Sequence, residues 1–197
     1  MALGDPYLTV DDLKARLQIT DAADDARLAA VILAAGQQID AWAGRTFNNT
    51  GAPTARVLTP HAYDVLSLQD AVSVSEIAGD IALNRTYTDV WDPQDYDLYP
   101  YEATELGQPY TEIRTTWRTR RVFILLARSV RVTAVWGWPA VPPAIVEATS
   151  LQANRLYKRA TAPFGIAGSP QLGQMLTITR MDPDVLALVN PFRVVGF

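Results

Sequence analysis

A chain of 197 residues, 49% of them hydrophobic, is long enough for one sizeable core or for a core plus an appended unit. Its 17 basic and 21 acidic residues leave a formal net charge of −4, which argues against a dedicated nucleic-acid binder, because affinity for phosphate backbones comes from clustered Lys and Arg. The lack of cysteine excludes disulfides and Cys-rich zinc sites, and no apolar run approaches the roughly 20 residues that span a bilayer. Met1-Ala2-Leu3-Gly4-Asp5-Pro6 lacks the basic and apolar regions of a signal peptide, so the expectation is a globular protein of a cytoplasm or of a particle assembled there.

In chain order, the first helix starts at Thr9, an N-cap with Asp12 three residues on, and ends near Gln18; Leu8 can staple against Leu13. A second start follows at Thr20-Asp21, with Asp21, Asp24 and Asp25 suited to the positive end of a helix dipole. From about Ala22 to Ala43, Leu28, Val31, Ile32, Ala35, Ile39 and Trp42 make one apolar stripe, and Gly44 closes the helix as a left-handed residue. Beside that stripe Ala29, Gly36 and Ala43 repeat every seven residues. Small residues there let another helix come close, either from the same chain, the favoured reading, or from a neighbouring copy.

Residues 48–53 read as a loop, after which the period changes. Short β-branched or aromatic runs at 55–59, 62–66, 72–77, 81–87, 96–99, 110–116, 121–126 and 130–136 predict strands. The clearest is Arg131-Val132-Thr133-Ala134-Val135, whose alternation gives one buried face. The only concentrated acidic set is Asp89, Asp92, Asp95, Asp97, Glu102 and Glu105. It has no glycine at the sixth position of a calcium loop, and with Pro93 and Pro100 it reads as a solvated acidic loop ahead of metal binding or catalysis. The sole histidine, His61, reads as a strand-end residue, since no nucleophile elbow or zincin helix accompanies it. Arg114, Arg118, Arg120, Arg121, Arg128 and Arg131 fall in the β-patterned segment and read as a solvated strand face or an interface rim.

The chain is organised around Trp136-Gly137-Trp138-Pro139-Ala140-Val141-Pro142-Pro143 and the helix from Ala144 to Ala160 that follows. Pro143 suits the first helical turn, where its missing N–H would be unpaired anyway. At 100° per residue Ile145, Val146, Thr149, Ala153, Leu156, Tyr157 and Ala160 form a core face. Ala144, Ala148 and Leu151 form a second strip, flanked by Glu147, Arg155 and Lys158, as a patch covered by a neighbouring subunit would be.

At this point the sequence resembles the head-tail connector family of tailed bacteriophages, also called head-tail adaptor or head completion proteins. The resemblance rests on Tyr7-Leu8-Thr9-Val10-Asp11-Asp12-Leu13-Lys14, on Ile39-Asp40-Ala41-Trp42-Ala43-Gly44-Arg45-Thr46-Phe47, and on the run from Gly137-Trp138-Pro139 through Leu156-Tyr157-Lys158-Arg159. Ala162-Pro163-Phe164-Gly165, Asp182-Pro183-Asp184-Val185 and Asn190-Pro191-Phe192-Arg193 also look like longer members. The resemblance covers both ends well and the β middle loosely. It implies a helical bundle that assembles, typically as twelve copies, into a ring beneath the portal protein, joins it to a stopper or tail protein, and extends the channel through which DNA passes without specific binding.

The expected fold is α+β: a helical bundle (residues 1–47 and 139–181) with an inserted small antiparallel β unit (55–138) and a C-terminal arm (182–197). The expected role is structural and non-enzymatic, in the neck of a virion assembled in a host cytoplasm, without cofactor, metal or membrane. Ala144, Ala148, Leu151, Ala29 and Gly36 are candidates for the subunit interface. Val185, Leu186, Val189, Phe192, Arg193 and Phe197 are candidates for a portal-binding arm, against the alternative that this segment folds onto its own domain. The runner-up functions are another neck or tail ring protein, and an acid-rich β module that binds or hydrolyses a glycan through Asp92, Asp95, Asp97, Trp91 and Tyr99.

Overall fold

The computed structural model describes residues 4–118, 120–161 and 181–194. The chain divides into two units: Gly4–Arg45 together with the described residues from Val141 onward, and Thr46–Ala140. The first is helical and the second is built on a sheet, so the fold is α+β.

In the helical unit, α1 (Val10–Leu17) begins on the expected capping box: the Thr9 hydroxyl accepts the Asp12 N–H at 3.1 Å, and the Asp12 carboxylate accepts the Thr9 N–H. Such a cap contributes about 1 kcal/mol. Leu8 and Leu13 are buried in one cluster with Leu28, Ile32, Ala35 and Ala153. The second helix, α2 (Asp25–Ala43), starts later than the acidic pattern suggests. Asp21 accepts the Ala23 N–H at 2.9 Å, which turns the chain before the helix, and Asp24 receives the Tyr157 hydroxyl at 2.5 Å rather than capping.

Leu28, Ile32, Ala35 and Ile39 are buried as the stripe requires, whereas Trp42 is 38% exposed. Its indole lies at the rim because it serves the C-terminal segment: Nε1 donates to Asn190 at 3.0 Å and the Arg193 guanidinium sits 5.0 Å over the ring. Gly44 closes α2 at φ +70° with its N–H on the Asp40 carbonyl. On α3 (Pro143–Thr161), Ile145, Thr149 and Ala153 are fully buried, and Val146, Leu156 and Tyr157 pack partly buried against the core. The side chain of Ala160 lies outside the described residues.

The last helix, α4 (Pro183–Val189), is capped by Asp182 and runs into a 3-10 turn at Asn190–Phe192. It packs on α2 and α3. Val185 and Val189 are fully buried, and the Val194 N–H closes on the Ala43 carbonyl at 2.8 Å. The segment from Asp182 to Val194 is thus folded onto its own unit. Burying two valines is worth about 2 kcal/mol each, enough to hold so short a helix that would not form alone.

The β unit contains β1 (Thr54–Leu58), β2 (Val65–Gly79), β3 (Asp89–Val90), β4 (Tyr96–Tyr99), β5 (Tyr110–Thr115) and β6 (Val130–Trp136). They form one antiparallel sheet in the order β1-β6-β2-β5-β4, with β3 paired to β2. This six-stranded sheet is a substantial core, which corrects the expectation of a small insert. β6 shows why: Val130, Val132, Ala134 and Trp136 are all buried, alternating with half-buried residues.

Two predicted strands are absent, each for a local reason. Residues 81–87 are folded back by Asp80, whose carboxylate oxygens accept the N–H groups of Asn84 (3.1 Å) and Arg85 (2.9 Å), with positive φ at Leu83, Arg85 and Tyr87. Residues 121–126 are drawn inward by Phe123, which is buried and stacked on Trp91 at 4.7 Å. The end of the run 62–66, from Val65, and the whole run 72–77 are, conversely, parts of the single long strand β2.

Candidate functional site

The organising stretch is a junction built around close backbone approach. Trp136 is fully buried; its Nε1 donates to the Thr54 carbonyl at 2.8 Å and the Arg56 guanidinium lies 4.5 Å over its ring. Gly137 bridges to Asn49 at φ +106°, and its N–H is bonded to the carbonyl of Asp70, itself a bulge residue of β2 at φ +53°. The Trp138 indole donates to the Asp70 carboxylate at 3.2 Å and packs at 5.3 Å from Phe47. Both buried indole N–H groups here are paired, as low dielectric demands. The junction is structural.

Among the candidate interface residues, the structure distinguishes covered from open positions. Ala148 is fully buried, and Gly36 packs under the Tyr7 ring, with 3.5 Å between a built Cβ and the ring edge. Both are therefore already covered within the subunit, which favours the intramolecular reading of the small-residue row. Ala29 and Leu151 are exposed and Ala144 is half-buried. Glu147, expected on the rim of the strip, pairs with Arg16 of α1 at 2.6 Å, and that ion pair holds its carboxyl below the usual range.

Between α2, α3 and α4 lies a groove of about 680 Å³, lined by Trp42, Arg155, Leu156, Arg159, Met181 and Leu186 among others. Of the proposed arm residues, Leu186 lines this groove, Phe192 is half-buried and Arg193 is exposed. Val185 and Val189, the other described candidates for the arm, are buried, because α4 turns them onto α2 and α3. Phe197 lies outside the described residues.

A second carboxyl of the helical unit, that of Asp40, departs from its ordinary behaviour in the other direction. Burial pushes the Asp40 carboxyl from its usual 3.8 up to about 6, against the opposing effect of the Tyr7 hydroxyl that donates to it at 2.5 Å. The folded state therefore holds a proton that the unfolded chain has already lost. Its contribution is fully present below about 3.8 and is lost as pH rises through about 6. Asp40→Asn is accordingly expected to flatten the decline in stability between about pH 4 and about pH 7, measured by urea unfolding at a series of pH values.

The acidic set does not form a single cluster, because β4 divides it. Asp89, Asp92 and Asp95 lie before β4, whereas Glu102 and Glu105 lie after it. Arg121 gathers part of the first group: it bonds both oxygens of Asp89 at 2.8 and 2.9 Å and reaches Asp95 at 3.0 Å, with its guanidinium 5.6 Å over Trp91. Asp92 and Asp95 reciprocally cap the 3-10 turn at Pro93–Asp95. Asp95 and Trp91 are buried and Tyr99 is covered by Arg114 at 3.9 Å, so the residues of the glycan reading do not make an open platform. Arg121→Ala would leave a buried carboxylate without its cation, and a loss of about 2 kcal/mol is expected in urea unfolding.

His61 lies beside Ser67 at 3.3 Å, a strand-end position. Arg131 pairs with Glu76 and Arg114 with Glu112, as a strand face would, whereas Arg118 and Arg120 point outward on the loop after β5. The Arg121 clamp and the Trp42–Arg193 stack had no local signal, since each joins residues far apart in sequence. No helix of the described residues is long and apolar enough to cross a membrane.

The chain therefore has an α+β fold in which a helical unit is interrupted in sequence by a unit built on a six-stranded antiparallel sheet. No protein-family model and no curated protein matches the sequence. Solved structures do match. A chain from the neck of an empty gene transfer agent (GTA) particle computed with C6 symmetry shares the fold at TM-score 0.59 and 17% identity, over 97% of this chain and 91% of that one. A chain from the neck of a native particle computed with C12 symmetry matches at 0.56 and 18%, over 100% and 97%. One from the virion of a native gene transfer agent particle matches at 0.59 and 19%, over 100% and 94%. At these identities the likeness is one of fold.

Proposed function

We propose that the protein is a structural subunit of the neck of a phage-like particle: a connector that forms a ring, joins the portal to the tail or to the next neck protein, and extends the DNA channel. The observation that carries this reading is the fold match over essentially the whole of both chains to chains from two necks, of this chain 97 and 100% and of those 91 and 97%. Two of those necks were computed with C6 and C12 symmetry, so a closed ring of copies is the arrangement proposed. The resemblance in sequence to head-tail connectors points the same way, independently of the fold.

Ring closure gives exposed apolar residues such as Leu151 a use, because a heterologous contact buries in the assembly what one subunit leaves open. Leu186, Phe192 and Arg193 are the arm residues proposed to meet the portal, now as side chains on a folded surface rather than a free tail. DNA would pass without specific binding, in keeping with a net charge of −4. The activity is assembly; Asp92 and Asp95 cap a turn, and Asp89 and Asp95 pair with Arg121. Electron microscopy of the purified chain, alone and mixed with its portal, should show rings or portal-bound rings, and failure under both conditions would refute the proposal.

A further inference from the structure

Two exposed loops of the β unit carry opposite charge. Beyond the end of β5 at Thr115, the loop to β6 presents Trp117, which is 87% exposed, with Arg118 and Arg120 beside it. No acidic residue lies between Thr116 and Ser129. This loop is held in place: Phe123 is buried against Trp91, its N–H donates to the Tyr63 carbonyl at 2.8 Å, and Arg121 is fixed by two aspartates. The turn from β4 into β5 presents Tyr101 and Leu106, 63% and 65% exposed, with Glu102 and Glu105. No basic residue lies between Pro100 and Tyr110.

The register Tyr96↔Thr115 and Tyr99↔Glu112 puts the two loops at opposite ends of the β4–β5 pair. A six-residue strand separates them by roughly 20 Å, so they do not meet within one subunit. Among the described residues Arg118, Arg120, Glu102 and Glu105 form no ion pair. Large apolar side chains beside like-signed charges are the composition of a protein interface.

We infer that these loops are the two halves of one subunit–subunit contact, in which Trp117, Arg118 and Arg120 of one copy dock on Tyr101, Glu102, Glu105 and Leu106 of the next. Complementary patches at opposite ends of one strand make a head-to-tail contact, the kind that generates a ring when the rotation closes. Their charges would steer the encounter and fix its register. The inference deepens the ring reading and rests on it. A purely phosphate-binding loop would not need Trp117 to be matched by Tyr101 and Leu106 on the same chain.

The test uses the full chain and two charge-reversed variants, Arg118→Glu with Arg120→Glu, and Glu102→Arg with Glu105→Arg, each checked for native circular dichroism. Each alone should assemble roughly tenfold or more less well than wild type, because like charges then face one another. An equimolar mixture should recover assembly, since an alternating ring restores opposite charges at every contact. The chain contains no cysteine, so Arg118→Cys and Glu105→Cys chains mixed together should cross-link between subunits without background.

Normal assembly of both variants, or no recovery in the mixture, overturns the inference. It is equally overturned if the arginine variant alone loses binding to duplex DNA while both variants assemble, which would give the basic loop to DNA. A wild-type chain that forms no ring with its portal refutes the functional proposal itself. Rings that form without the cross-link refute only this contact.

Discussion

Gly137→Ala is expected to unfold the β unit under conditions in which the wild type remains folded. A methyl group at this position would collide with the Asn48 carbonyl oxygen and lie 2.7 Å from the Asn49 Cα. Both obstacles are backbone, so neither can rotate away. The residue also sits at φ +106°, a conformation that side chains rarely adopt. Relief would require the Asn48–Thr50 segment to move, which breaks the Thr50 N–H bond to the Trp136 carbonyl and the Trp138 N–H bond to Asn48. Clash and strained φ together should cost roughly 3–5 kcal/mol. Urea unfolding followed by tryptophan fluorescence reads the loss; a midpoint within error of wild type would mean the chain does not approach itself this closely.

Val189→Asp should be comparably damaging in the helical unit. Val189 is fully buried on a short helix held by α2 and α3. An unpaired buried charge, or the protonation needed to avoid it, costs several kcal/mol, more than α4 can draw from its own seven residues. The amide of Val194, bonded to Ala43, should then lose its protection in hydrogen exchange. The result decides between two views of the C-terminal segment. An arm held away from the domain for the portal would tolerate the aspartate with stability unchanged.

Much of the helical unit was legible because its signals are local. Thr9 and Asp12 are three residues apart and make their capping box with each other. The stripe of Leu28, Ile32, Ala35 and Ile39 is periodic, and the alternation of β6 predicts its buried face. The start of α2 was displaced because Asp21 found the Ala23 N–H first, a competition between turn and cap that spacing does not resolve.

The sheet was underestimated for a related reason. β2 contains register shifts between Ser67 and Ala71, Ala71 and Ser73, and Val74 and Glu76, so its inward face changes parity along the strand. A period of two then breaks into shorter runs, with Asp70 inside the strand imitating a turn. Residues 121–126 carried the opposite error. Their β-branched and aromatic composition reflects the burial of Phe123 rather than pairing.

The candidate site was legible only as composition. Glu102 and Glu105 separate from Asp89 and Asp95 because β4 runs between them, and Arg121 joins the latter two from a loop more than twenty residues downstream. Ala148 was assigned outward on a helical wheel, yet it is fully buried. A wheel fixes the angle of a side chain and not what surrounds it.

On the proposed function this chain is a ring-forming component of a particle's neck. The most direct measurement is a symmetric electron-microscopy reconstruction of purified particles that contain the chain. A closed ring of copies between portal and tail is expected, with the helical and β units both resolved in every subunit. Density for the chain anywhere other than the neck, or single copies there without ring symmetry, would contradict it.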